Sequence, residues 1–201
     1  MTVARLDPEG VRARIQEVLG GRARRVVDPG DLVPAAVLIP LVVKGEELFV
    51  VFAKRTEAVA HHKGQFSFPG GIVEIDDGSR PETALREARE EIGLDPAAVE
   101  ILGELDDTET RATPFVITPV VGLVREPGPY RVDGREIERV LEVPLRALLD
   151  PSRVREELWE RGGQLQTIYF YDYEGEVIWG ATARILKQFL ELVFPAGAGQ
   201  G

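Results

Sequence analysis

Glu87, Glu90 and Glu91 are the residues with the clearest chemical potential in this chain. Spaced three and four positions apart, they share one side of any helix that contains them, away from a stripe made by Leu85, Ala88 and Ile92. Three like charges so placed repel one another unless water or a cation intervenes. From the helix alone two readings stand. One is a solvated surface helix with Arg86 and Glu90 as an i,i+4 ion pair. The other is a hard-oxygen site for Mg²⁺ or Mn²⁺, to which the Gly70-Gly71 turn adds backbone oxygen because glycine permits close approach. The cluster holds no His or Cys, which disfavours zinc. Asp76-Asp77-Gly78 opens no twelve-residue loop of alternating ligands ending in Glu, so an EF-hand is excluded.

The segment that must position these carboxylates has a clear local grammar. Ser79 followed by Glu82 is a capping box, Pro81 lies in the first turn and Gly93 supplies a stop, so a helix spans 79–93. Upstream, an amphipathic helix over 9–20 presents Val11, Ile15, Val18 and Leu19 on one face. It is accompanied by Arg12, Arg14, Arg22, Arg24 and Arg25, read as a solvated basic face. Two apolar strands, 35–43 and 48–53, flank the turn at 44–47. A loop (59–65), a short strand (66–68) and an abrupt turn (69–71) follow. Strands at 99–105, 115–124, 166–173 and 177–179, with helices at 145–149 and 181–193, complete an α/β pattern on a mixed sheet. No repeat or linker divides the chain, so one domain over 1–194 is expected, with its core at 35–190 and a disordered tail at 195–201.

The chain has 201 residues with 24 Lys and Arg against 34 Asp and Glu, a formal charge of -10. Such a balance argues against a nucleic-acid backbone binder. The apolar run at 35–43 is far shorter than the ~20 residues of a spanning helix, so no membrane partner is expected. With no cysteine and no secretory signal, a cytoplasmic location is expected. Between Glu74 and Glu109 stand thirteen acids and three bases, which accounts for the whole imbalance. This segment needs cations or water.

Gly71, five residues, Asp77, eight residues and then Arg86-Glu87-Ala88-Arg89-Glu90-Glu91-Ile92-Gly93-Leu94 resembles the signature of the Nudix hydrolases. That signature usually has Glu where Asp77 stands and seven residues before the Arg. Both departures resemble the coenzyme A pyrophosphatase-like branch, whose motif reads GGxxDxxD before ALREAxEEIG; Glu74 here replaces its first Asp. The branch's upstream LLTxR[SA]xxxRxxxGxxxFPGG is matched in spacing by Arg55, Gly64 and Phe68-Pro69-Gly70-Gly71, and His62-Lys63-Gly64-Gln65 is similar to its HxGQ. Val51-Phe52-Ala53 replaces LLT, Thr56 replaces Ser or Ala, and Ala60 replaces the second Arg. The Ala60 change bears on coenzyme A as substrate more than on pyrophosphatase chemistry. Ile178-Trp179-Gly180-Ala181-Thr182-Ala183-Arg184-Ile185-Leu186 resembles the branch's IWGxTArIL, and residues 136–145 its EVxxxxxVPL.

The resemblance implies a Nudix-type α/β/α sandwich with a mixed β-sheet and a loop-helix-loop motif. It implies Mg²⁺- or Mn²⁺-dependent hydrolysis of a nucleoside-diphosphate-linked substrate, foremost the pyrophosphate bond of coenzyme A or acyl-coenzyme A, giving 3′,5′-ADP and 4′-phosphopantetheine. ADP-ribose, NADH or another nucleotide is the alternative substrate, and a non-catalytic nucleotide- or protein-binding domain the alternative class. By the same resemblance Glu87, Glu91, Glu90 and the Gly71 carbonyl are metal ligands. Glu90 doubles as a water-orienting base, and Arg86 orients a glutamate. Glu136 and Glu109 are candidate bases from outside the motif, and Arg55 and His62 candidate substrate contacts. Trp179 and 169–171 are core or adenine-stacking aromatics, Lys54 and Lys63 candidate positive charges near a 3′-phosphate. A homodimer is left open.

Overall fold

The computed structural model describes residues 6–57, 63–110 and 113–195. Its centre is a mixed sheet built on β1 (Val33–Lys44), which pairs antiparallel with β2 (Glu47–Arg55) and parallel with β7 (Phe115–Val124). β5 (Val99–Glu104) and β6 (Thr108–Glu109) extend it beyond β7, and β8 (Ile137–Pro144) extends it beyond β2. β1 and β2 pair only between Leu41/Val50 and Lys44/Glu47 and then part. The gap is filled by β3 (Phe66–Ser67) on β2 and β4 (Gly70–Ile72) on β1. Pro40 sits at the fork. Leu38 donates its N–H to Pro69 O (2.8 Å), and the strand's period of two turns residue 40 the same way, so a residue with no N–H stands where the partner strand departs.

Alternation along β1 divides the core into two layers. Ala36, Leu38 and Val42 pack with Ala84, Ala88 and Ile92 of α2 (Arg80–Ile92). Ile39 and Leu41 pack on the other face with Val11, Ile15 and Leu19 of α1 (Pro8–Gly20). Leu186 and Phe189 of α4 (Gly180–Val193) join them there. Helices thus cover both faces of one mixed sheet, the expected α/β/α sandwich. Beside α4 stands a second antiparallel sheet of β9 (Val154–Arg161), β10 (Gln164–Tyr173) and β11 (Glu176–Trp179). A one-turn helix, α3 (Leu145–Leu148), follows β8.

Several expectations shift. The segment 69–71 is not simply a turn, because Gly70–Ile72 pairs with Ala35–Val37 as a strand. β8 and β9 are strands that the charge-rich sequence does not announce. Of the tail, only Pro195 lies within the described residues. The arginines of α1 and the segment after it are not a solvated face: Arg12 pairs with Glu100, Arg22 with Asp106, and Arg24 with Glu104 (2.8 Å) and Asp107 (2.5 Å).

Candidate active site

α2 forms where the capping grammar places it. Ser79 Oγ accepts from Glu82 N–H (3.3 Å), Glu82 reaches back to Gly78 N–H (3.0 Å), and Gly93 closes the helix in the left-handed region at φ 70°. Small Ala84 and Ala88 seat the helix close to β1 and bring its acidic residues to the β4 edge.

The three glutamates do not share one exposed side, which corrects the expectation. Glu91 is buried at 7% exposure, Glu87 is half-buried, and the Glu90 side chain is 53% exposed. Glu91 turns inward: its Oε2 accepts from Gly70 N–H (3.2 Å), and its Oε1 lies 4.0 Å from Arg55. Burial pushes its carboxyl up to about 8; the nearby Glu87 charge adds to the rise, while the Gly70 N–H and Arg55 oppose it. Burial also raises Glu87, against the pull of Arg86. A Cβ on Gly71 would lie 2.5 Å from Glu87 Oε1, so any larger residue there would push the Glu87 carboxylate out of its place.

Arg86 is the clamp of the site. Its Nε and one terminal nitrogen donate to both oxygens of Asp77 (3.0 Å each), and the same nitrogen donates to Ile72 O (3.0 Å). The other donates to Glu87 Oε1 (2.8 Å) and lies 3.6 Å from Glu90 and 3.7 Å from Glu74. Asp77, almost fully enclosed, also accepts from Thr83 Oγ1 (2.9 Å) and Glu74 N–H (2.9 Å). The Arg86 bonds hold its carboxyl well below the usual carboxylate range. One guanidinium therefore ties the loop 72–77 to α2 and fixes where Glu87 points.

Glu136 joins this centre from another element. Asp133 accepts from the backbone N–H groups of Arg135, Glu136 and Ile137, which fixes the loop entering β8. Glu136 Oε2 then lies 3.3 Å from Arg55, although its side chain is 57% exposed. Arg55 thus stands between Glu91 and Glu136, and its buried Nε has no partner among the described residues. Glu109 does not join the centre: it lies on β6, and Arg184 donates to its backbone oxygen. Lys54 leans on the Phe66 ring and Glu176, and Lys63 is exposed. His62 lies outside the described residues.

Among the described residues no group of three or more acidic or imidazole side chains converges as a ready-made metal cage. The reason is local: Glu87 is turned into Arg86 and Glu91 into Gly70 N–H. The donor set nonetheless fits a hard divalent cation. Two enclosed carboxylates of α2, both raised by burial, lie against the same glycine strand, Glu87 at Gly71 and Glu91 at Gly70, with no nitrogen or sulfur donor beside them among the described residues.

A cavity of about 430 Å³ borders this centre at Arg55, Gly70 and Gly71. It opens on the face of β1 opposite α2, floored by Ala35, Ile72 and Ile117 and walled by Tyr169 and Trp179. Trp179 is held nearly parallel to Phe170 (13°, 6.2 Å) and tilted against Trp159. Tyr171 and Phe170 are core, so only part of the 169–171 aromatic run reaches the cavity. Gln166 lines it with a buried Oε1 that has no partner among the described residues. Neither Gln166 nor Arg184 was marked by its own local spacing, though Arg184 lies within the 178–186 motif.

Residues 32–161 match the family model described as the NUDIX domain. The chain belongs to the Nudix hydrolase family. Nudix hydrolases are pyrophosphohydrolases of nucleoside-diphosphate-linked substrates and generally use divalent metal ions. The Yersinia enterocolitica protein named "Uncharacterized Nudix hydrolase NudL" is 37% identical over 159 residues, 79% of this chain and 80% of that one. The Enterobacter protein of the same name is 38% identical over 154 residues, 77% of this chain and 79% of that one. Among solved structures, a MutT/nudix family protein from Enterococcus faecalis superposes with a TM-score of 0.52 at 16% identity, over 90% of this chain and 69% of that one, a likeness of fold. Among the described residues no helix is long and apolar enough to cross a membrane.

Proposed function

We propose that this Nudix hydrolase cleaves the pyrophosphate bond of coenzyme A or an acyl derivative with Mg²⁺ or Mn²⁺, releasing 3′,5′-ADP and 4′-phosphopantetheine or its acylated form. The carrying observation is the pair of enclosed carboxylates, Glu87 and Glu91, set against Gly70-Gly71 at the mouth of a largely apolar cavity. Glu87, Glu91 and the Gly71 carbonyl hold the ion, with Glu90 as a further ligand or water-orienting group. A divalent ion there supplies charge neutralisation of the diphosphate and acidifies bound water. Arg86 keeps Glu87 aimed and does not itself meet substrate. Arg55, which lines the cavity, donates to a phosphate oxygen, and Glu136 beside it takes the proton of the attacking water. The aromatic and aliphatic walls fit an adenine and a pantetheine arm.

A substrate panel tests this reading. Coenzyme A, ADP-ribose, NADH and nucleoside triphosphates are incubated with Mg²⁺ or Mn²⁺ and the products weighed by mass spectrometry. Fastest release of 3′,5′-ADP from coenzyme A is expected. Preference for ADP-ribose or NADH would move the assignment within the family, a change that Thr56 and Ala60 make the natural second reading. No hydrolysis of any member would favour a binding-only domain, against which the three retained glutamates argue.

A further inference from the structure

The charge of the cavity wall runs against that of the molecule. In a chain of net charge -10, no carboxylate side chain of a described residue lines the cavity; its charged lining residues are Arg55 and Arg184. Arg55 belongs to the centre at β4. Arg184 enters elsewhere, from the start of the second turn of α4, whose first residues Gly180, Ala181 and Thr182 also line the wall. Gly180 at φ 73° lets the chain turn from β11 into the helix, and Thr182 Oγ1 donates to Phe66 O (3.1 Å), tying that turn to β3. Arg184 is anchored by donating to Glu109 O on β6.

Strand register places the two arginines. Thr108 of β6, Ile117 of β7, Ala35 of β1 and Ile72 of β4 lie side by side across the sheet. Three inter-strand steps separate β6 from β4, roughly 14 Å at ~4.8 Å per step. The Arg184 anchor therefore sits at the far side of the apolar floor from Gly71. A substrate that reached Arg55 with its diphosphate would span that floor before meeting a second cation.

We infer that Arg184 is a specificity-determining residue that binds a second, remote phosphomonoester of the substrate. The inference rests on the coenzyme A reading, where the group is the 3′-phosphate of the adenosine half. Among the described residues no side chain caps the N-terminus of α4, so its positive end faces the same wall, and a phosphate on Arg184 takes charge-assisted hydrogen bonds from the guanidinium.

Two matched pairs of compounds test it. Turnover of coenzyme A is compared with that of dephospho-coenzyme A, and binding of 3′,5′-ADP with that of 5′-AMP by calorimetry, in the wild type, Arg184→Gln and Arg184→Lys. The wild type should prefer the phosphorylated member of each pair by about tenfold or more, mainly through KM and Kd. In Arg184→Gln both ratios should fall towards one, with a largely restored preference in Arg184→Lys; melting temperatures identify any variant that fails to fold, and Lys then carries the comparison against wild type. Equal loss on both members of a pair would assign Arg184 to the diphosphate and overturn the inference, as would unchanged ratios. Failure of coenzyme A turnover with an Arg184-dependent preference for 3′,5′-ADP would overturn the proposed substrate and keep the subsite.

Discussion

Arg86 and Glu91 show how two side chains of one helix divide the work of the site. Arg86 satisfies Asp77, Ile72 O and Glu87 at once, so removing it strands an enclosed carboxylate. Arg86→Ala should cost roughly 2–4 kcal/mol in denaturant melts and most of the activity, and Arg86→Lys should recover little, since lysine cannot grip both Asp77 oxygens. Glu91 acts in the opposite sense. Its folded-state pKa of about 8 lies above its unfolded value, so the unfolded chain gives up this proton first as pH rises. Metal-free protein should therefore lose a few kcal/mol of stability between about pH 5 and pH 8 from this residue. Thermal melts of Glu91→Gln should lack that part of the slope; an identical slope would mean that Glu91 is not enclosed. Added Mg²⁺ or Mn²⁺ should stabilise the wild type more at pH 8 than at pH 5, because the ion needs the ionised carboxylate.

The elements explain what could be read in advance. α2 carries its own start, stop and apolar stripe within fifteen residues, and the β1–β2 hairpin has two apolar runs around a turn, so both follow from local sequence. Glu87, Glu90, Glu91, Arg86 and Gly71 were marked for the same reason. β8 and β9 were not legible, because Glu138, Arg139 and Glu142, and Arg155, Glu156 and Glu157, break the apolar pattern. These charges find partners across the folded chain: Arg139 with Glu176, Glu142 with Lys44 and Tyr130, Arg155 with Asp172 (3.7 Å). The inward turn of Glu91 was equally hidden, since its donor is a backbone N–H on a strand twenty-one residues away. Gly71 marks where β4 and α2 meet. Gly71→Ala must displace the Glu87 carboxylate, and kcat should fall on the order of a hundredfold, with at most a modest drop in melting temperature. Retained activity would show that Glu87 has no fixed place in catalysis.

At the scale of the molecule, the acidic window 74–109 proves to be two things. Its later part, Glu100, Glu104, Asp106 and Asp107, is neutralised by Arg12, Arg22 and Arg24, which strap the N-terminal segment across β5 and β6. Asp107 is the keystone at 4% exposure, bonded to Arg24, Val27 N–H and Thr118 Oγ1. Asp107→Ala should cost roughly 3 kcal/mol in unfolding free energy, because Val27 N–H and the buried Thr118 hydroxyl lose their acceptor and Arg24 keeps only Glu104. Its earlier part, at α2 and β4, keeps carboxylates with only partial compensation, beside a cavity whose charged lining is cationic. The division separates the charge that builds the fold from the charge that the proposed chemistry uses. The most direct test is the rate of metal-dependent 3′,5′-ADP release from coenzyme A by Glu87→Gln and Glu91→Gln, with folding verified by circular dichroism. Both variants should lose at least about a hundredfold in kcat while keeping the wild-type melting temperature or exceeding it; wild-type rates in both would contradict catalysis at this site.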